Sequence, residues 1–535
     1  MSLHQPQRNL VSQADSATIE NAQVPRSKFH NQWSRKTTFD AGKLYPILVD
    51  EILPGDHMNY SITAYVRITT LLFPMFDSQR IDTHFFFVPC RLVWDNWVRF
   101  MGEQDAPSSP APDSFSVPQV SVGSDASIGS IYDHYGIPTW TAQLAAVIQI
   151  NSMPFRAYNL IYNTWFRDQN IQDPFTLRKG DTGDISTDFN IAYRAKSHDY
   201  FTSALPWPQK FTAPTVPIGG LAPVHGFGVA GAHTTAGGLS VAETQGIRTY
   251  TSGLQDLNNN FVMEYDLPSS LPKIYADLAA TSGVAINTLR QAWLVQQLLE
   301  RDARGGTRYV ELIRSHFGVT NPDFRLQRPE YIGGGQSPLN ITPIAQTAPT
   351  AGQPLGALGA AGTSGGTHRA SYAATEHGYV IGLLSVKSEL SYQQGIPKLF
   401  DRKSRYDFYW PTLAGLGEQA IKRREIYATG LPNNDDLIFG YQERWQEYRT
   451  RQSDITGLMR SSAGAGTYDG WHLAQNFVAP PVLNSAFIVD APPMPRVLAA
   501  ATLATNQQYQ ADIMYQRTAV RPIPTYGTPV TLGRF

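Results

Sequence analysis

The chain of 535 residues is longer than one ordinary core requires, so size alone predicts two or three domains. Its net charge is −1 and only 16% of its residues are charged, which removes any global electrostatic case for nucleic-acid binding and leaves that role to local basic surfaces. One cysteine excludes a disulfide-stapled secreted fold, and 11% aromatic residues exclude a chain disordered throughout.

Taken in order, residues 1–30 are polar and weakly patterned, and read as an N-terminal arm. The start, MSLHQPQRNLVSQADS, lacks the apolar stretch of a signal peptide, and no run approaches the roughly 18 apolar residues of a membrane span. YPILVDEI is a strand candidate, closed by the turn Pro54-Gly55-Asp56. From Met58 to Thr69 the alternation is unbroken: Met58, Tyr60, Ile62, Ala64, Val66 and Ile68 predict a buried face, and Asn59, Ser61, Thr63, Tyr65, Arg67 and Thr69 an opposite one. HFFFVPCRLVW is a third strand, with Pro89 marking a break or an edge and Cys90 reading as a small buried hydrophobe.

Helical spacing predicts a helix from Met153-Pro154 through Phe155, Tyr158, Tyr162, Trp165 and Phe166. Two more are expected at about Ile286–Arg301 and from Thr307, divided by Gly305-Gly306, with His316 a hydrogen-bonded packing residue and Asp302 in an ion-pair network. Thr212–Ala242 and Gly333–Gly366 contain no Asp, Glu, Lys or Arg, and read as insertions decorating a scaffold. Strand-like pieces return in GYVIGLLSVKSEL, YDFYWPTLA and SAFIVDA. Many short strands separated by Pro and Gly fit a sandwich or jelly roll with long loops.

Enzymatic motifs are weak. Gly362-Thr363-Ser364-Gly365-Gly366 has the G-x-S-x-G spacing, but its low-complexity flanks read as flexible loop rather than the strand and helix that a nucleophile elbow needs. Gly415-Leu416-Gly417-Glu418-Gln419-Ala420 has G-x-G-x-x-A spacing, but the basic residues that follow oppose a phosphate-binding helix start. The histidines show no metal-ligand spacing, and no catalytic, metal or cofactor residue is assigned. Arg402, Lys403 and Arg405, and Lys422, Arg423 and Arg424, lie beside Phe400, Tyr406, Tyr409 and Tyr427. Cations beside rings are what single-stranded nucleic acid requires, and a paired or solvated charge run is the competing reading.

Several long segments, in order, resemble the major capsid proteins of gokushovirus-type microviruses, small single-stranded DNA bacteriophages. They are NQWSRKTTFDAGKLYPILVDEILPGDHM, MPFRAYNLIYNTWFRDQN, HDYFTSALPWPQK, LLERDARGGTRYVELIRSHFGV, PDFRLQRPEYIGGG, FGYQERWQEYRT and GWHLAQNF. The resemblance implies an all-β fold with helical insertions: an eight-stranded antiparallel jelly roll carrying long interstrand loops. It implies a structural, non-enzymatic protein whose copies form a T=1 icosahedral shell around single-stranded DNA, a virion component assembled in the cytoplasm of a bacterial host.

On this basis residues 31–211 and 281–535 are expected to form the roll, and 212–280 a variable insertion at the threefold protrusion, facing a host receptor. The arm residues Arg8, Arg26 and Lys28, with Arg35 and Lys36, are expected near packaged DNA, joined by the two later basic clusters. A small internal DNA-binding protein and a scaffolding protein are further implied partners; no membrane insertion and no cofactor are implied. A β-sandwich carbohydrate-binding or carbohydrate-active protein is the alternative, with Asp407 and Glu418 as its candidate carboxylates.

Overall fold

The computed structural model describes residues 25–103, 110–139, 147–214, 286–306, 308–318, 327–345, 356–464, 467–499 and 508–526, with positions 106, 108 and 347 and six paired dipeptides between 224 and 276. The chain divides into two compact units: Gln209–Gly318, and the remainder of the chain.

Eight strands dominate the larger unit: β1 Ser27–Phe39, β2 Tyr45–Ile52, β3 His57–Ile68, β4 Gln79–Pro89, β5 Glu330–Ala345, β6 Leu358–Ala373, β7 Gly378–Ser388 and β8 Tyr509–Arg521. They form one antiparallel sheet in the order β1-β8-β3-β6-β5-β4-β7-β2. The chain passes back and forth between two four-stranded halves, β1-β8-β3-β6 and β5-β4-β7-β2, which is the strand order of an eight-stranded jelly roll. Both halves contribute to a single core, with Met58, Ile62, Val66, Ile513 and Tyr515 from the first and Ile81, Phe85, Val380 and Leu384 from the second. This core lies between the two halves of the roll.

The alternation of β3 is realised residue by residue: Met58 to Ile68 at even positions are buried and face that core. Its entry turn is fixed by Gly55 at φ +86°, a conformation open to glycine, and by the Leu53 N–H donating to the Asp56 carboxylate at 2.8 Å. β4 ends at Pro89, where Cys90–Val93 makes one helical turn and Cys90 is buried. Helix α1, Met153–Ile161, carries Pro154 in its first turn, with the Met153 N–H donating to the Asn151 side-chain Oδ1 at 2.9 Å, and continues into a π turn at Tyr162–Phe166. Its buried residues Phe155, Tyr158 and Ile161 join Phe86, Val88, Ile381 and Leu383 in a second core on the outer side of β4 and β7.

Several expectations are corrected. Gly333–Gly366 is not a decorating loop: its described parts lie in β5 and β6, the middle of the sheet. A Cβ on Gly334 would lie 2.2 Å from the Thr83 carbonyl oxygen, and one on Gly366 1.8 Å from Ser337 Oγ, so close approach of neighbouring strands demands the glycines that disguised these strands. Ser364 therefore sits in a strand, buried, and not on a flexible loop or at an elbow. β1 begins at Ser27, so residues 27–30 belong to a paired strand and not to a free arm, while residues 1–24, including Arg8, lie outside the described residues. YDFYWPTLA forms two 3-10 turns, at Arg405–Asp407 and Pro411–Leu413, the second opened by Pro411. SAFIVDA starts with one helical turn, Ser485–Ile488, because the Asn484 side chain accepts the Phe487 N–H at 3.0 Å.

In the smaller unit, α2 Ile286–Arg304 and α3 Tyr309–Phe317 flank Gly305-Gly306, and His316 Nε2 lies 2.6 Å from Asp302 Oδ1. Leu289, Trp293 and Leu298 of α2 are exposed. Most of the expected insertion 212–280, like Thr307, lies outside the described residues.

Candidate nucleic-acid interface

The first half of the roll is buried on one side only. Strand register places Thr38, Gln510, Arg67 and Thr363 in one cross-strand row of its outer face, and Lys36, Asp512, Tyr65 and Gly365 in the next. Further along come Gln32, Gln516, Ser61 and Arg369, and then Lys28, Val520, His57 and Ala373. Side-chain contacts confirm the shared face: Thr63 and Thr367 hydroxyls are 2.8 Å apart, Thr518 Oγ1 is 3.0 Å from His30 Nδ1, and Lys36 Nζ is 4.0 Å from Asp512. In these four rows the ionised side chains are Lys28, Lys36, Arg67 and Arg369 against the one carboxylate Asp512, amid hydroxyls and amides. A flat, polar, cation-rich sheet face suits a polyanion, with Tyr65 as a ring for stacking.

Of the residues picked from the sequence, Lys28 and Lys36 lie on this face and are exposed. Arg26 precedes β1 and reaches over Gly55. Arg35 points to the other side of β1, where its guanidinium donates to the carbonyls of Ile47 at 3.0 Å and His134 at 2.9 Å. Tyr65, Arg67 and Arg369 were absent from the sequence-derived set. Tyr65 and Arg67 carried a readable signal, being the polar phase of the β3 alternation, whereas Arg369 lies beside the uncharged stretch that concealed β6.

The later basic clusters belong elsewhere, to a lobe built on the hairpin Glu418–Lys422 and Ile438–Glu443, a separate two-stranded sheet. Here Asp401 draws them together: Lys422 Nζ lies 3.1 Å from its carboxylate and Arg424 also pairs with it. Burial would raise the Asp401 carboxyl, but hydrogen bonds from Arg424 and Lys422 outweigh it and hold it below the usual range. Arg423 donates to Asn434 at 2.7 Å, and Arg402 pairs with Glu447 at 3.3 Å with its guanidinium over the Tyr448 ring at 4.4 Å. These four cations are engaged within the subunit. Lys403 and Arg405 are exposed, Arg405 over the Trp410 ring at 4.8 Å.

In the carbohydrate reading a general acid is required, and Asp407 does not suit that role. The backbone N–H groups of Ser404 and Lys403 hold Asp407 down to about 2, whereas a general acid needs a raised value. Among the described residues no group of three or more His, Cys, Asp and Glu is placed to hold a metal ion, and no helix is long and apolar enough to cross a membrane.

Comparison with known proteins agrees with this architecture. The family model described as "Capsid protein (F protein)" matches residues 17–531. The chain is similar to the capsid protein VP1 of Bdellovibrio phage phiMH2K, at 43% identity over 98% of this chain and 99% of that protein. It is 39% identical to the capsid protein VP1 of Chlamydia phage 1, over 98% of this chain and 97% of that protein. With the capsid protein VP1 of Spiroplasma virus 4 it shares 34% identity, over 96% and 97% respectively.

Proposed function

The chain belongs to the phage capsid proteins of the F family, structural proteins and not enzymes, and from that membership we propose that its copies close a T=1 icosahedral shell with the bare face of the roll turned towards single-stranded DNA. The observation that carries the orientation is the contrast between the two halves. β4 and β7 are covered on both sides, while the outer face of β1-β8-β3-β6 is polar and bears Lys28, Lys36, Arg67 and Arg369. In this reading the exposed rings of Phe400, Tyr406 and Phe408 meet neighbouring copies, since large exposed apolar patches mark interaction surfaces. Residues 212–280 form the host-facing insertion, and Arg26, Lys403 and Arg405 contribute secondary cationic contacts. Arg35, Arg402, Lys422, Arg423 and Arg424 position structure rather than DNA. A small internal DNA-binding protein, a scaffolding protein and assembly in a bacterial cytoplasm complete the proposed setting.

Electron microscopy of the protein expressed alone and with its phage partners tests the shell: uniform closed particles are expected, and only small oligomers under both conditions would refute it. The quadruple change K28A/K36A/R67A/R369A tests the orientation. Particles should form with less retained DNA, and an unchanged DNA content would place the genome elsewhere.

A further inference from the structure

At one end of the bare face, the Ile128-Gly129 turn and the helical turn Ile131–His134 stand beside β1, β8 and β3 and wall an open cleft of about 750 Å³. We propose that this cleft takes one unstacked base of single-stranded DNA with its phosphate, Tyr65 serving as the stacking platform and Lys36 and Arg67 as phosphate contacts. The proposal rests on the reading of the face as DNA-facing and assigns the place where that face grips a nucleotide rather than a bare backbone.

The volume lies within the range of pockets that hold small ligands, roughly 300–1,000 Å³. Tyr65 is 42% exposed although it lies on a strand paired on both sides, so its ring is open to the cleft that it lines. The Arg67 guanidinium carbon sits 5.1 Å from the centre of that ring and its Nε donates to the Tyr65 hydroxyl at 3.2 Å. The guanidinium thus braces one side of the ring and leaves the exposed side as a surface of the kind on which unpaired bases stack. Lys36 stands in the same cross-strand row as Tyr65, with Asp512 between them in the register.

The wall is anchored to the sheet. Arg35 donates to the His134 carbonyl, and Thr37 Oγ1 lies 3.4 Å from His134 Nδ1, tying the wall to β1. Of the two carboxylates lining the cleft, Asp133 accepts the Gly129 N–H at 2.8 Å and Asp512 lies 4.0 Å from Lys36 Nζ. Lys36 and Arg67 balance these two carboxylates, and Arg35, at the rim of the cleft, is committed to the Ile47 and His134 carbonyls. Thr38 and Gln510, side by side in the end row, offer a hydroxyl and an amide to a base edge.

The test measures binding of a fluorescent single-stranded oligodeoxynucleotide to the full-length protein across a salt series. It compares the wild type with Y65A, Y65F and K28A/R369A, the last pair lying on the same face but outside the cleft. Y65A should weaken binding about tenfold at every salt concentration with its salt slope retained, because stacking releases no counterions, and Y65F should bind as the wild type. K28A/R369A should flatten the slope. If K28A/R369A behaves so while Y65A binds normally, the cleft assignment is wrong and the face reading survives; if neither variant changes binding, both fall. Ultraviolet crosslinking of intact wild-type particles, followed by peptide mapping, gives a readout independent of variant folding. A nucleotide adduct on the peptide carrying Tyr65 is expected, and DNA adducts confined to other peptides would overturn the assignment.

Discussion

The two halves of the roll share a core and differ in what lies behind them. Behind β4 and β7 is a second apolar layer, in which α1, Trp94, Val120 and Tyr132 pack on Phe86, Val88 and Ile381. These strands accordingly read as nearly continuous apolar runs, FFFV in β4 and GYVIGLLSV in β7. β3, β8 and β6 meet water on one side, and β3 and β8 alternate instead. The difference separates two tasks. One half anchors the fold through buried contacts, and the other leaves a surface whose composition can answer to a ligand without loss of the core.

The covered side should break hardest where a fully buried ion pair is cut. Arg156 and Asp184 are 2.7 Å apart with side-chain exposures of 0% and 1%, and the guanidinium also donates to the carbonyls of Val93 and Gly180, each at 3.1 Å. R156A leaves Asp184 buried without its cation and frees those carbonyls, so destabilisation of about 3–5 kcal/mol is expected in denaturant unfolding of the subunit. A substitution on the bare face should come nowhere near this, and a comparable loss there would erase the distinction between the halves.

Acid should also act through buried groups. Burial holds His84 and His134 down to about 4, so between their ordinary value near 6.5 and that point the unfolded chain binds protons that the folded chain refuses. Stability present above about pH 6.5 is therefore lost as the pH falls through this window. Asp490 opposes them: burial pushes it up to about 6 despite Lys387, Lys196 and Arg194, so the folded chain keeps a proton that the unfolded chain releases, and its contribution improves on acidification. Two imidazoles outweigh one carboxyl, giving a net loss of about 2–3 kcal/mol between roughly pH 7.5 and pH 5. Unfolding midpoints across that range check the sign, and H84Q/H134Q should remove most of the loss.

How legible all this was depended on which face a strand buries. β3 could be read because polar and apolar residues alternate, and β4 and β7 because apolar runs persist. β8 was missed although Tyr509, Ala511, Ile513 and Tyr515 alternate inward, since Ala511 is a weak apolar marker. β1 was missed because the apolar phase of SKFHNQWSRKTTF, with Phe29, Trp33 and Phe39, is broken by Asn31, Arg35 and Thr37, and its strand state is set by pairing with β8, a partner far along the chain. β5 and β6 were misread because the glycines required by close strand approach look like loop composition. The site suffered in proportion. Basic runs in the sequence flagged Lys422 and Arg424, which the fold pairs with Asp401, whereas Arg67 of β3 and Arg369 of β6, single cations far apart in the chain, come onto one face only through the sheet register.

On the bare face, the double change K28A/R369A should leave the unfolding midpoint almost unmoved, within about 0.5 kcal/mol, because both side chains are exposed. Its effect belongs in the salt dependence of single-stranded DNA binding, where the slope of log K against log salt should fall by about 0.7 for each phosphate contact removed. A large stability loss with an unchanged slope would mean that these cations serve the fold.

The smallest expected effect separates the sheet from its ligand on that same face. Thr63 and Thr367 stand directly opposite in β3 and β6 with their hydroxyls 2.8 Å apart. A double-mutant cycle through T63A and T367A should return a coupling of about 0.2–1 kcal/mol, the ordinary worth of a cross-strand hydroxyl pair. Neither change removes a cation or a ring, so the salt slope and DNA affinity should stay at wild-type values while stability moves slightly. If instead affinity fell with the hydroxyls and was indifferent to Lys28 and Arg369, the face would be reading its ligand through neutral hydrogen bonds. The anionic backbone would then no longer be the feature that the bare half is built to meet.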